Sequence, residues 1–205
     1  DRFMSYGSYV TPKGALFPGG IFAQGALAPL AIDGVSEDLS HAWYDSLNMV
    51  EPPFAGTTVA DISRAQAYSW CKAPRLDGEV MEVGAIARQV IAAHPLIRDL
   101  VAQTGGNVHS RVVARLMEIA LVVIAMEKWV RDIVPGETFC THGVMPDCAD
   151  GIGLTEAARG SLGHWLRVRS GRIENYQIIS PTTWNFSPRD AAGNPGPLEK
   201  ALVGA

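Results

Sequence analysis

The strongest pattern in the chain is a row of apolar residues at helical spacing. Val108, Val112, Leu116, Ile119, Val123, Met126, Val130 and Ile133 recur every three or four positions, with Asn107 placed to cap the start and Pro135-Gly136 to end it. A second row at Val113, Ala120 and Ile124 makes more than half of that helix apolar, which predicts a central helix buried on several sides. Just upstream, "EVMEVGAIARQVIAAHPLIRDLVAQTG" predicts a helix interrupted near Pro95 and closed by Gly105 and Gly106. Downstream the period changes. "HWLRVR" and "IENYQII", on either side of "SGR", predict two strands joined by a tight turn. "SPTTWNFSPRDAAGNPGP" reads as loop, and "LEKAL" as the start of a further helix.

Residues 1 to about 65 carry no sustained period and are thick with Gly and Pro. They read as irregular chain that wraps over another surface. The exception is "SEDLSHAWY", which suggests a short helix capped by Ser36 with Glu37 and Asp38 in its first turn. The fold class expected is α+β and helix-rich, in three stretches: 1–65 irregular, 66–136 helical core, 137–205 hairpin and loops.

Composition narrows the functional classes. Hydrophobic residues make up 47% and charged residues 19%, which fits an ordered globular chain. A net charge of −4 gives no electrostatic reason to expect nucleic acid or an acidic membrane as partner. No signal-like apolar run follows the first charges, and the longest such run, Ile119 to Met126, is too short to span a bilayer. A soluble chain is expected, touching a membrane only through a partner. Three cysteines are too few for a disulfide framework.

The candidate chemistry is sparse. Cys140, His142 and Cys148 lie in "CTHGVMPDC", but a structural zinc site needs four ligands, and they read better as loop residues near a surface or subunit interface. His94 before Pro95 reads as a capping or packed residue, His109 as solvated, and His41 has no evident partner. Asn185-Phe186-Ser187 matches a glycosylation acceptor by coincidence. "KAPRLDG" (Lys72 to Gly78) is either a turn with solvated charges or a buried loop whose cations face an anionic cofactor or partner. Arg159, in "EAARGSLGHW", sits among small residues that permit close approach of a ligand. Its guanidinium offers five fixed donors and never deprotonates, which suits an anion or a small diatomic ligand; a structural ion pair is the competing reading.

"KAPRLDGEVMEVGAIAR", "GLTEAARGSLGHWLRVRSGRIENYQIISPTTWNFSPRDAAGNPGPLEKAL" and the opening "RFMSYG" together resemble the large subunit of nickel–iron hydrogenases. The resemblance covers nearly the whole chain and is most specific over the last 55 residues. It implies the long buried helices of that fold and hydrogen oxidation at a Ni–Fe centre whose iron carries cyanide and carbonyl. Electrons would pass to a small subunit bearing Fe–S clusters. The family's four metal-binding cysteines lie in two CxxC motifs, and neither motif is present here.

The stretch therefore resembles the middle and later part of such a subunit, supplying contacts around the metals rather than their ligands. Matched by motif, Arg159 would overhang the open bridging position and donate to one cyanide, with Ala158 beside it. Pro181 and Thr182 would line the second cyanide, and Ile178 would offer a backbone carbonyl to magnesium. Where the family usually has "EAPRG", this chain has Ala158 before the arginine, which frees the backbone there. The resemblance inclines toward the uptake or hydrogen-sensing branch. A sensor would turn over slowly and report to a signalling kinase, and a non-catalytic subunit like those of respiratory complex I is the remaining alternative. The location implied is cytoplasmic, or membrane-associated through the partner.

Overall fold

The computed structural model describes residues 1–11, 14–45 and 48–204. Residues 12–13 and 46–47, part of the stretch read as irregular, lie outside it, as does residue 205.

The N-terminal third is not irregular. It holds short strands β1 (Arg2–Ser5), β2 (Ser8–Thr11), β3 (Gly14–Phe17), β4 (Gly20–Ala23), β5 (Ala26–Ala28), β6 (Val35–Asp38), β7 (Tyr44–Asp45), β8 (Val50–Glu51) and β9 (Val59–Ala60). Each has four residues or fewer, too short for alternation to rise above the Gly and Pro turns between them. The helix expected from Ser36 is instead β6. Its backbone pairs antiparallel with β10 (Ala73–Leu76), Ser36 opposite Arg75, and with β8 on its other edge. Pairing across the chain overrides the local capping signal.

The helical middle follows its punctuation closely. Helix α1 (Ala85–Ile91) ends ahead of Pro95, which opens α2 (Pro95–Thr104) at the first-turn position where its missing N–H costs nothing. Gly105 closes α2 at φ 71°. Asn107 caps α3 (Val108–Asp132), accepting from the Ser110 N–H, while the Ser110 hydroxyl accepts from the Asn107 N–H. Helix α3 is not buried, however. Only Ser110 and Ala114 of its residues are fully enclosed, while Leu116, Ile119, Val123, Ile124 and Val130 are all more than half exposed. The apolar rows forecast neighbours that the described residues of this chain do not supply beyond the first two turns.

The C-terminal third is a three-stranded antiparallel sheet of β11 (Cys148–Ala157), β12 (Gly160–Arg169) and β13 (Arg172–Ile179). The turn between β12 and β13 places Ser170 at φ 51° and Gly171 at φ 67°, the paired left-handed conformation that suits a two-residue hairpin. The segment read as loop contains α4 (Pro181–Asn185), whose Ser180 side chain caps it by accepting from the Thr183 N–H; α5 (Pro197–Ala201) follows. The chain is 28% helix and 32% strand, so it is mixed α+β without being helix-rich.

Two apolar clusters meet beside α1. One gathers Met4, Leu76, Val83, Trp165, Ile179 and Trp184. The other gathers Phe3, Ala85, Val90, Ile97 and Ala114. The backbone from Val83 to Ala85 passes from one cluster to the other, and the candidate site is assembled on it. Among the described residues no helix is long and apolar enough to cross a membrane.

Candidate functional site

Two segments converge on Val83–Gly84. Asn185, at the end of α4, clasps Val83 with both ends of its amide: Oδ1 accepts from the Val83 N–H at 3.0 Å, and Nδ2 donates to its carbonyl at 2.9 Å. A polar side chain that matched a glycosylation pattern is thus a tether between α4 and the start of α1. From the other side comes the turn Ala158–Arg159 joining β11 to β12. Gly160 takes φ 132°, and a Cβ there would lie 2.6 Å from Val83 Cγ2 and 2.7 Å from the Gly84 nitrogen. Only glycine fits such an approach.

This places the Arg159 turn and α4 at the same end of the sheet. Strand β13 stops at Ile179, opposite Gly163 of β12, and α4 begins two residues later. Gly160 and Gly163 are three residues apart, about 10 Å along a strand. Arg159 is exposed, and among the described residues its guanidinium has no hydrogen-bond or ion-pair partner. Thr182 is exposed as well, and neither its hydroxyl nor its N–H donates to a described residue; its carbonyl accepts from the Phe186 N–H. Pro181 beneath it is buried. Ala158 is exposed beside Arg159. Ile178 lies on β13 opposite His164, half exposed, between the buried Gln177 and Ile179. The two described clefts, of about 610 and 380 Å³, are lined by other residues.

The buried cations are paired within the chain. In "KAPRLDG" Ala73–Leu76 form the buried strand β10, and the two cations of the motif are neither solvated nor turned to a partner but bonded to this chain's own groups. Arg75 donates from Nε to Asp190 at 2.9 Å and reaches Ser187 Oγ and the carbonyls of Pro74, Pro188 and Asn194. Burial works against the charge on Asp190, yet the Arg75 bond and those from Asn194 outweigh it and hold the carboxyl below its usual range. Lys72 donates to Glu37 at 3.3 Å, to Gln177 Oε1 at 3.1 Å and to the Thr57 carbonyl at 2.8 Å. For Glu37, burial prevails over Lys72 and pushes the carboxyl up.

The sequence reading missed Arg88. It is 2% exposed and bonded to Glu118 and Glu156 at 2.7 and 2.6 Å. Burial opposes its charge, but Glu118 and then Glu156 hold the guanidinium above its usual range. Its local signal is one arginine in an apolar helix, and its partners lie 30 and 68 residues away.

The histidines and cysteines stand apart from this arrangement. His41 shares a 2.9 Å hydrogen bond with the Arg189 carbonyl, and His109 is exposed. His94 precedes α2 without capping it through its side chain. Cys140, His142 and Cys148 are exposed. Among the described residues no group of three or more His, Cys, Asp or Glu side chains could hold a metal ion. The donor set at Arg159 and Thr182 is one of N–H and O–H groups. It suits anionic or diatomic ligands carried by a metal and not the metal itself.

All 205 residues match the family described as nickel-dependent hydrogenase. The periplasmic [NiFeSe] hydrogenase large subunit of Desulfomicrobium baculatum is 34% identical over 83% of this chain and 37% of its own length. The uptake hydrogenase large subunit of Rhodobacter capsulatus is 32% identical over 97% and 40%. A solved structure of the Desulfomicrobium baculatum [NiFeSe]-hydrogenase superposes with a TM-score of 0.90 at 31% identity, covering 98% of this chain and 46% of that one. The chain therefore spans less than half the length of the relatives it matches. Family match, sequence identity and superposition agree, and the chain belongs to the nickel-dependent hydrogenases, as part of their large subunit.

Proposed function

We propose that this chain is part of a catalytic large subunit that oxidises hydrogen to protons and electrons, with electrons leaving through a small subunit that carries Fe–S clusters. The observation that carries this reading is Arg159, an exposed guanidinium without a partner, on a turn packed against the same Val83–Gly84 backbone that α4 grips. Arg115 and Arg172 are likewise exposed without partners among the described residues, so what distinguishes Arg159 is its place on this turn, where its donors stay available. The named relatives, uptake and [NiFeSe] hydrogenase large subunits, support the same class.

When bound, a nickel–iron centre supplies the redox chemistry and the Lewis acidity for splitting hydrogen. The donors of this chain fit the anionic ligands of such a centre, whose thiolate anchors lie outside it. Arg159 presents fixed, permanently charged donors that would polarise a small ligand and bind a cyanide. Preorganised donors of this kind cost no reorganisation when charge develops. Thr182 offers a hydroxyl and an N–H to a second cyanide, and the buried Pro181 fixes the backbone that presents them. The Ile178 carbonyl would face magnesium only with ligands brought from elsewhere, so no step is assigned to it.

Turnover tests the reading. A purified heterodimer of the full-length large subunit and its small subunit is expected to oxidise hydrogen rapidly with an artificial electron acceptor. Slow turnover with intact metals would instead identify a sensor that reports to a signalling kinase. An assembled complex without nickel would identify a non-catalytic subunit.

A further inference from the structure

The turn that carries Arg159 is held from beneath by a second arginine. Arg88, on α1, donates from Nη1 to the Ala157 carbonyl at 3.0 Å and from Nη2 to the Ala158 carbonyl at 3.1 Å. Its other donors go to Glu118, at 2.7 Å from Nε and 2.9 Å from Nη2, and to Glu156, at 2.6 Å from Nη1. All five guanidinium protons are therefore used. Glu156 accepts in turn from the Tyr6 N–H at 2.8 Å and the Ser161 hydroxyl at 2.6 Å, which ties both flanks of the turn to the same charge.

Two carboxylates alone would satisfy a buried arginine electrostatically. The two donors left over reach consecutive carbonyls of an exposed turn. Because peptide units are planar, fixing those two carbonyls fixes the torsions at Ala158 between them. The same restraint sets where the Arg159 Cα, and so its side chain, begins. Ala158 has no ring to fix its own φ, and its N–H donates to no described residue. The turn's restraint therefore comes from outside itself.

We propose that Arg88 is a positioning residue for Arg159: its planar fork locks the Ala157–Ala158 backbone so that the neighbouring guanidinium is presented in one direction. The inference rests on Arg159 acting as proposed above. Lysine cannot substitute, since a single ammonium has three donors and no fork with which to span both carboxylates and both carbonyls.

The test uses the assembled heterodimer carrying Arg88→Lys in the full-length large subunit. Hydrogen–deuterium exchange is expected to rise in residues 155–161 and not elsewhere, with nickel and iron content unchanged. Hydrogen oxidation is expected to fall by roughly 10²-fold, the scale of a group displaced by about an ångström. Adding Ala158→Pro, which fixes φ covalently, should return exchange and turnover to the level of Ala158→Pro alone. Unchanged exchange at 155–161 in Arg88→Lys would overturn the proposal. So would exchange raised throughout the molecule and not reversed by the proline, because that is how a simple core ion pair behaves. If Arg88→Lys does not assemble, the proline must restore assembly or the proposal fails. A wild-type heterodimer unable to oxidise hydrogen would defeat the functional reading alone, while exchange would still decide whether Arg88 restrains the turn.

Discussion

The end of the sheet around Arg159 and the outer two-thirds of α3 are built on opposite terms. Around the sheet end, buried charges close on one another: Arg75 with Asp190, Lys72 with Glu37, Arg88 with Glu118 and Glu156. Each links segments distant in sequence, and together they fix β10, β11, α1 and the stretch after α4. Along α3, by contrast, the capped start is anchored by Ser110 and Ala114, and by Arg111 to Glu82 at 2.7 Å. Beyond that Glu118 reaches Arg88 and Trp129 packs on Tyr9 at 4.9 Å between ring centroids, but most of the apolar side chains face solvent, and the last turns add only the local pairs Lys128 with Asp132 and Arg131 with Glu127. The geometry of the first region is determined within this chain. The apolar face of the second is left uncovered by this chain, whereas the backbone that carries Arg159 and Thr182 is held within it.

The contrast can be broken most forcefully at Asp190. Replacing it by asparagine leaves Arg75 charged and buried without a counter-ion, which should destabilise the chain by about 3–5 kcal/mol in denaturant unfolding. A loss below about 1 kcal/mol would mean that the sheet end is not held by its buried charges.

Acid offers a smaller and finer version of that experiment. The Asp190 carboxyl is depressed, so its contribution is complete above the ordinary aspartate range near 3.9 and is lost as pH falls through the depressed folded value. Glu37 runs the other way. Its carboxyl is raised, so the fold favours its protonated form, and the cost of its charge is relieved as pH falls through that raised value. Unfolding measured against falling pH should therefore show in wild type a modest gain as Glu37 protonates, followed below the ordinary aspartate range by a loss from Asp190; in Asp190→Asn the gain remains and that loss disappears. An identical pH profile in the two proteins would contradict the assignment.

The smallest effect is expected on α3. Ile124→Gln, on a side chain 68% exposed, should change the chain's stability by no more than about 0.5 kcal/mol. A loss above about 2 kcal/mol would show that the helix is covered within the chain's own fold and would erase the contrast.

What the sequence disclosed follows the reach of the interactions involved. Pro95, Gly105 and Asn107 act on their own backbone, so the breaks between α1, α2 and α3 were legible. The β12–β13 hairpin was legible for the same reason, through Ser170-Gly171. Strand β11 escaped because its glycines, Gly151 and Gly153, dilute the alternation, and what defines it is pairing with β12. Helix α4 was missed although Ser180 and Pro181, a cap followed by a first-turn proline, stood in view. Arg159 was singled out by its small neighbours and by family resemblance, but its lack of a partner is a fact of the fold. Arg75 and Arg88 were beyond reach, since their carboxylates lie 115, 30 and 68 residues away.

The most direct test of the account is hydrogen oxidation by the full heterodimer carrying Arg159→Lys, measured alongside its nickel and iron content. The prediction is full metal loading with turnover reduced by roughly 10²–10³-fold, the loss seen when one preorganised donor is removed. Full loading with wild-type turnover would take Arg159 out of the chemistry and contradict the account.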